Sequence, residues 1–239
     1  MKADLCMMLD IGTQPDRHSI YKLYKYMTRH VMCGGCCGEI EVDFSDTSGD
    51  GGMGSYLIRV AQFFEYKMGH SPDKANESFF GFNSVLPGAY SMFRWKAIKG
   101  EPLDEFFKSV NRQDLPSCAE ANEFLAEDRV MCLQIYIKKH AKYHLCFIPD
   151  AKAYTDAPDS LAVLIKQRRR WMNGALFGTV KVISSFVHMV SCNRTKHSWY
   201  RQLMMVFFLG YYILTFLFQF FTVGSMYASI TIFLKQEVG

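Results

Sequence analysis

Charge is absent from one long stretch of this 239-residue chain: from Gln202 to Leu234, about 33 residues, there is no Asp, Glu, Lys or Arg, and Phe, Leu, Tyr, Ile and Met dominate. That absence excludes an average soluble domain, because roughly 20 apolar residues in a helix suffice to cross a ~30 Å hydrocarbon core. One span fits and two do not. A first span near Leu203 to Val223 is expected to end at Gly224-Ser225, with a second, incomplete apolar segment after it. Nor is a leader expected. Met1 is followed at once by apolar Leu5 to Leu9, with no charged n-region and no small-residue cleavage site, so no signal peptide is expected and the chain reads as a piece of a larger membrane protein. Internal repeats are missing as well. Cys33, Cys36 and Cys37 have a metal-like spacing, but no second Cys or His pair follows at a useful distance, which argues against zinc. The basic residues come without an aromatic platform or a binding motif, which argues against nucleic acid as a partner.

What is present is a foldable core. Apolar residues make up 49% of the chain and aromatics 15%, enough to exclude disorder. The 27 basic side chains against 23 acidic ones matter through their position. Lys166, Arg168, Arg169, Arg170, Lys181, Arg194, Lys196 and Arg201 crowd the segment before the apolar run, and only Lys235 follows it closely. By the positive-inside rule residues 1 to 201 belong in the cytosol. The eight cysteines are then expected as thiols. The sequons at Asn76 and Asn193 are expected to be unused.

Strand-like and helix-like segments alternate, which predicts an α/β core. Residues 4 to 10 read as a strand, Ser19 to Thr28 as a helix with Ile20, Leu23, Tyr24 and Met27 on one face, and Val31 to Val42 as a strand. Residues 45 to 55 are expected as a glycine-rich loop, Tyr56 to Met68 as a helix, and Phe79 to Phe93 as two strands around a Pro87-Gly88 turn. Residues 100 to 120 look irregular. A helix follows from Glu127-Asp128 through Lys139, then a strand at Tyr143 to Ile148. Asp156-Ala-Pro158-Asp159 is a helix-start signature, followed by Leu161, Leu164, Ile165, Met172 and Leu176 at helical spacing. Val180 to Val190 reads as an amphipathic element lying on the membrane surface. Residues 1 to 158, 159 to 200 and 201 to 239 are thus expected as core, interfacial helices and membrane segment.

Three places carry chemistry. Gln167, Arg170 and Trp171 lie at i, i+3 and i+4, with Gly174 clearing space beyond them. An amide, a guanidinium and an indole on one face suit a sugar phosphate; they equally suit a solvated basic face with Trp171 as an interfacial anchor. Asp128 opens its helix, so it is either an N-terminal cap or a general base for an attacking hydroxyl. Asp10 ends a strand, where it is either a turn residue or a hard ligand for Mg²⁺ or Mn²⁺.

Five segments, in order, resemble the chitin synthases, processive membrane family-2 glycosyltransferases. They are Met8-Leu9-Asp10-Ile11-Gly12-Thr13, Phe64-Glu65-Tyr66-Lys67, Ser84-Val85-Leu86-Pro87-Gly88-Ala89-Tyr90-Ser91, Ala126-Glu127-Asp128-Arg129 and Gln167-Arg168-Arg169-Arg170-Trp171-Met172-Asn173-Gly174. The resemblance implies a partial GT-A-like cytosolic domain that uses UDP-N-acetylglucosamine and a divalent metal to lengthen a β-1,4 chitin chain at a lipid bilayer, with inversion at the anomeric carbon. By carry-over, Asp128 deprotonates the acceptor 4-hydroxyl and Asp10 helps to hold the metal and diphosphate. Gln167, Arg170 and Trp171 hold the acceptor end and the leaving diphosphate, flanked by Arg168 and Arg169. Glu127 and Arg129 flank the base, and the loop containing Leu86, Pro87, Gly88 and Ala89 lines the acceptor site. A homo-oligomer fits this family. Two departures stand out: Gly12 occupies the place where other processive transferases carry a second metal-binding aspartate, and Phe63 replaces the Asn of the family's Q-N-F-E-Y-K. Nucleotide-binding strands upstream of Asp10 are expected to be missing. The rival readings are a hyaluronan- or cellulose-type synthase and a catalytically incomplete membrane scaffold.

Overall fold

A computed structural model describes residues 3–45, 52–108, 117–185 and 194–238, with 188 and 190. Its centre is a five-stranded sheet built from β1 (Leu5–Leu9), β2 (Gln14–Pro15), β3 (Cys33–Val42), β4 (Tyr90–Arg94) and β5 (His144–Thr155), in the order β1-β4-β3-β5-β2. Only β3 and β5 run parallel. Nine of the ten β3 residues are buried, the pattern of a central strand covered on both faces. Side chains alternate accordingly. Cys36, Met92 and Cys146 point to one face, where Leu23 and Met27 of helix α1 (Ser19–Arg29) cover them. Phe93, Leu145 and Phe147 point to the other, against Phe82, Leu86, Met131 and Ile135. Ile20 and Tyr24, expected on the buried face of α1, are exposed.

Helix α2 (Gly52–Met68) begins earlier than expected, since Gly52 to Ser55 are helical; residues 46–51 of the expected loop lie outside the described residues. It runs through a π-helical segment, Gly69–Lys74, into α3 (Ala75–Phe80). The widened turn takes in Pro72, which has no N–H for a regular helical ladder. Phe79 and Phe80 are therefore helical, not the first strand of a hairpin. Gly81, at φ +74°, ends the helix, and the chain loops to β4. Residues 100 to 120 are not irregular throughout: α4 (Trp95–Ile98) is followed by α5 (Glu101–Phe106) and α6 (Cys118–Glu123). Helix α7 (Glu127–Tyr136) ends three residues short of Lys139.

Two long helices follow among the described residues. Helix α8 (Leu161–Ser184) starts after Ser160, whose hydroxyl accepts from the Val163 N–H. Helix α9 (Trp199–Val238) continues without a break through Gly224-Ser225, so the expected division there does not occur. Its stretch Trp199–Phe218 is long and apolar enough to cross a membrane. The first turns of α9 do not float free of the domain. Met205, Phe208 and Leu209 are buried in the same core as Phe82 and Tyr136.

Candidate functional site

The loop from Phe82 to Ala89 is tied down residue by residue. Glu77 Oε2 accepts from the Ser84 N–H at 3.0 Å, Lys74 Nζ donates to the Val85 carbonyl at 2.6 Å, and the Leu86 N–H donates to Cys132 Sγ at 3.2 Å. The Ser91 hydroxyl donates to the Pro87 carbonyl. Lys74 is buried because the π segment turns it inward. Burial pushes the Glu77 carboxyl up, while Lys74, the Ser84 N–H and Arg129 draw it back. Leu86 is fully buried in the core, so it anchors the loop and faces no ligand; Pro87, Gly88 and Ala89 are half-buried and form its accessible tip.

Asp128 closes on that tip. Its Oδ2 accepts from the Gly88 N–H at 2.9 Å, and a Cβ on Gly88 would stand 3.1 Å from Oδ1, so a larger residue there would push the carboxylate aside. The N-cap of α7 is Ala126 without a side-chain cap, and the Asp128 carboxylate bonds to another segment of the chain. Burial pushes its pKa up to about 6; the Gly88 N–H lowers it, the negative charges of Glu127 and Asp10 raise it, and Arg129 lowers it.

Asp10 follows β1 and is exposed, with its N–H donating to the Ala89 carbonyl at 3.3 Å. The sheet register explains the meeting: Leu9 pairs with Tyr90, which brings the end of β1 beside the loop tip. One carboxylate was not foreseen. Asp156 Oδ2 lies 3.2 Å from where a Cβ on Gly12 would stand, so the turn after Asp10 faces a second acid supplied from beyond β5. Gly12 has φ +92°, a conformation that an aspartate at that place would adopt only with strain.

Helix α8 rests against the start of α7. A Cβ on Gly174 would approach Ala126 Cβ to 3.0 Å and the Leu125 carbonyl to 3.1 Å, and one on Gly178 would meet Arg129 Cδ at 2.9 Å. The expected trio of Gln167, Arg170 and Trp171 is rearranged. Arg168, not Arg170, stacks on Trp171, with its guanidinium carbon 4.4 Å from the ring centroid. Tyr66 extends the stack, 6.2 Å from Trp171, and Arg168 Nη2 lies 2.8 Å from Glu65 Oε2. Arg169 and Arg170 are exposed, and Trp171 is 38% exposed. Gln167 Oε1 and Arg168 Nη1 are buried without a hydrogen-bond partner. Glu65 and Tyr66 were visible in the sequence only as part of a motif; their partners come from another helix.

Two polar groupings thus stand out, the Asp128 carboxylate at the Gly88 tip beside Asp10 and the Gly12 turn, and the Arg168–Trp171–Tyr66 stack between α8 and α2. A family model for a chitin synthase-like glycosyltransferase domain matches residues 1–186. The chain belongs to this family. It is similar to chitin synthase 2 of Mycosarcoma maydis, 38% identical over 231 residues, covering 95% of this chain and 21% of that protein. Chitin synthase 2 of Cryptococcus neoformans var. grubii is 36% identical over 249 residues, 100% of this chain and 26% of the relative. Chitin synthase 3 of Verticillium dahliae is 35% identical over 244 residues, 99% and 27%. The chain thus spans about a quarter of the length of these curated relatives.

Proposed function

We propose that this chain is the acceptor-side part of a chitin synthase, which transfers N-acetylglucosamine from UDP-N-acetylglucosamine to the 4-hydroxyl of a growing β-1,4 chain at the cytosolic face of a membrane. The observation that carries the reading is the Asp128 carboxylate: half-buried, held in place by Gly88, and with its pKa raised to about 6. A carboxylate with that value is ionised at neutral pH and a stronger base than an ordinary aspartate. It takes the proton of the acceptor hydroxyl as that oxygen attacks the anomeric carbon. Attack opposite the departing diphosphate inverts the configuration.

Trp171, backed by Arg168 and Tyr66, offers an aromatic face to a pyranose ring. In this reading Gln167, on the same helix, helps to hold the acceptor end. Arg169 and Arg170 supply exposed positive charge for the diphosphate. The hard carboxylate oxygens of Asp10 and Asp156 flank the Gly12 turn and suit Mg²⁺ or Mn²⁺, which when bound offsets the diphosphate charge. In this reading residues 1–158 form the catalytic part, 159–200 the helices that close the site and lie along the bilayer, and 201–239 the membrane segment; the working assembly is a homo-oligomer.

The test is a graft. This chain replaces the matching segment of the Mycosarcoma maydis relative, and membranes are assayed for incorporation of labelled sugar into chitinase-sensitive polymer. The graft is expected to make polymer, and Asp128→Asn to reduce it by roughly 10²–10⁴-fold without loss of membrane insertion. Equal turnover in the variant refutes the base.

A further inference from the structure

At the opposite end of the sheet from Asp10, the structure gathers soft ligands. Sγ of Cys33, a ring nitrogen of His144 and Sγ of Cys146 lie within 4.8 Å of one another. The cluster is a product of strand pairing. Cys33 pairs with His144 and Cys36 with Cys146 across the parallel β3–β5 ladder, and a register shift between Cys33 and Gly35 lets three steps on β3 match two on β5. In a regular strand Cys33 and Cys36 would face opposite ways. The shift turns both toward α1, where they share one buried cluster with Cys146, while Cys37 points to the other face. The Cys33 thiol contacts those of Cys36 and Cys146, and Cys146 also contacts His144. Along the chain no second pair follows the Cys33/Cys36 spacing at a useful distance; in space it does.

We propose that Cys33, His144 and Cys146, with Cys36 as the fourth ligand, bind a zinc ion that clips β3 to β5. Three sulfurs and an imidazole are a soft set that selects zinc and is unsuited to Mg²⁺ or Mn²⁺, so this site is distinct in chemistry and place from the acids around Asp10. Tetrahedral bonds of about 2.3 Å to sulfur and 2.0 Å to nitrogen place ligand atoms roughly 3.5–3.8 Å apart, so among Cys33, His144 and Cys146 a spread of up to 4.8 Å closes by about 1.3 Å or less, and Cys36 joins them through its contact with Cys33. The surroundings fit. Arg94 donates to the Cys33 carbonyl at 3.1 Å and to the Met27 carbonyl at 2.6 Å, which sets a cation beside a site that three thiolates would leave negative. The Tyr26 hydroxyl donates to Cys146 Sγ at 3.3 Å, the kind of outer contact that orients a ligating sulfur. With four protein ligands the site is closed, so its role is to hold the two central strands in register.

The experiment uses the full chain in detergent, without a polyhistidine tag, titrated with Co²⁺ and then Zn²⁺. A tetrahedral cobalt–thiolate spectrum is expected at about one equivalent and should be bleached by Zn²⁺. Cys146→Ser and His144→Ala are each expected to weaken Co²⁺ binding by at least about tenfold, and the exposed Cys118→Ser is expected to leave it unchanged. A second readout needs no variant: Zn²⁺ should protect Cys33 and Cys146 of the wild-type chain from alkylation while Cys118 stays reactive. An absent thiolate–cobalt band, unprotected thiols, undiminished binding in Cys146→Ser, or a Cys33–Cys146 disulfide found by mass spectrometry would each overturn the proposal.

Discussion

Asp128→Asn should make the folded chain more stable at neutral pH while removing the chemistry. The sign follows from the raised pKa. Folding lifts this carboxyl from an ordinary 3.8 to about 6, so the folded state binds the proton more tightly than the unfolded state. Below 3.8 both states are protonated and the group contributes no penalty. Between 3.8 and about 6 the unfolded state ionises while the folded state keeps its proton, so stability falls, and it levels off above about 6, where the folded state holds a half-buried charge. At 1.36 kcal/mol per pKa unit the penalty above pH 6 is at most about 3 kcal/mol. Asparagine keeps a carbonyl oxygen to accept the Gly88 N–H and carries no charge, so it escapes that penalty.

The assay is thermal unfolding of the chain and its variant in detergent at about pH 8 and about pH 4. The variant is expected to gain up to roughly 6–12 °C at the higher pH, at about 2–4 °C per kcal/mol for a chain of this size, and to match the wild type at the lower. A residue acting as a helix cap gives the reverse result. Its carboxylate would be stabilised by the helix N-terminus, and Asn would leave stability level or lower at pH 8. A variant that is less stable than the wild type at pH 8 therefore refutes the burial argument, and with it the reason for regarding Asp128 as a base.

Gly174→Ala should destabilise the packing of α8 on α7, because the new Cβ meets the fixed Leu125 carbonyl at 3.1 Å; about 1–3 kcal/mol of overpacking exceeds the ~1 kcal/mol gained in helix propensity. Gly224→Ala, with nothing within 4 Å, should be neutral or stabilising, so paired thermal melts of the two variants check the contact. Glu41 tests the outer network. Burial tends to raise its carboxyl, but hydrogen bonds from Lys152 at 2.8 Å and Lys67 at 3.1 Å hold it below the ordinary 4.5. Its contribution is present above 4.5 and lost as pH falls through the lower folded value. Glu41→Gln should lose roughly 1–3 kcal/mol at neutral pH in urea melts and nothing in strong acid.

Much of the fold was legible because several elements announce themselves locally. The unbroken apolar run of Leu5 to Leu9, the buried Cys33 to Val42 segment and the acidic helix start at Glu127-Asp128 need only their own residues. Phe79 to Phe93 did not. Its aromatics have strand propensity, yet Phe80 and Phe82 are claimed by Phe208 of α9, which lies more than a hundred residues away. Gly224-Ser225 read as a break, but an apolar helix tolerates one glycine at a loss of about 1 kcal/mol. At the candidate site, helical spacing placed Trp171 on α8 and could not say which arginine stacks on it. That choice belongs to Glu65 and Tyr66 on α2. Asp156 was hidden for the same reason, since its partner is an empty space beside Gly12.

The packing also ties the chemistry to the membrane. Helix α7 carries Asp128 in its first turn and Tyr136 in its last, about 12 Å apart at 1.5 Å per residue. Tyr136 stacks on His197 with ring centroids 4.4 Å apart and meets Phe82 edge-on, and Phe82 in turn meets Phe208 of α9. Phe82 begins the loop whose tip, Gly88, holds Asp128. Asp128 is thus fixed at both its helix and its loop by residues that touch the foot of the apolar helix. Under the proposed function these contacts would keep the acceptor end in register with Asp128 while the chain lengthens.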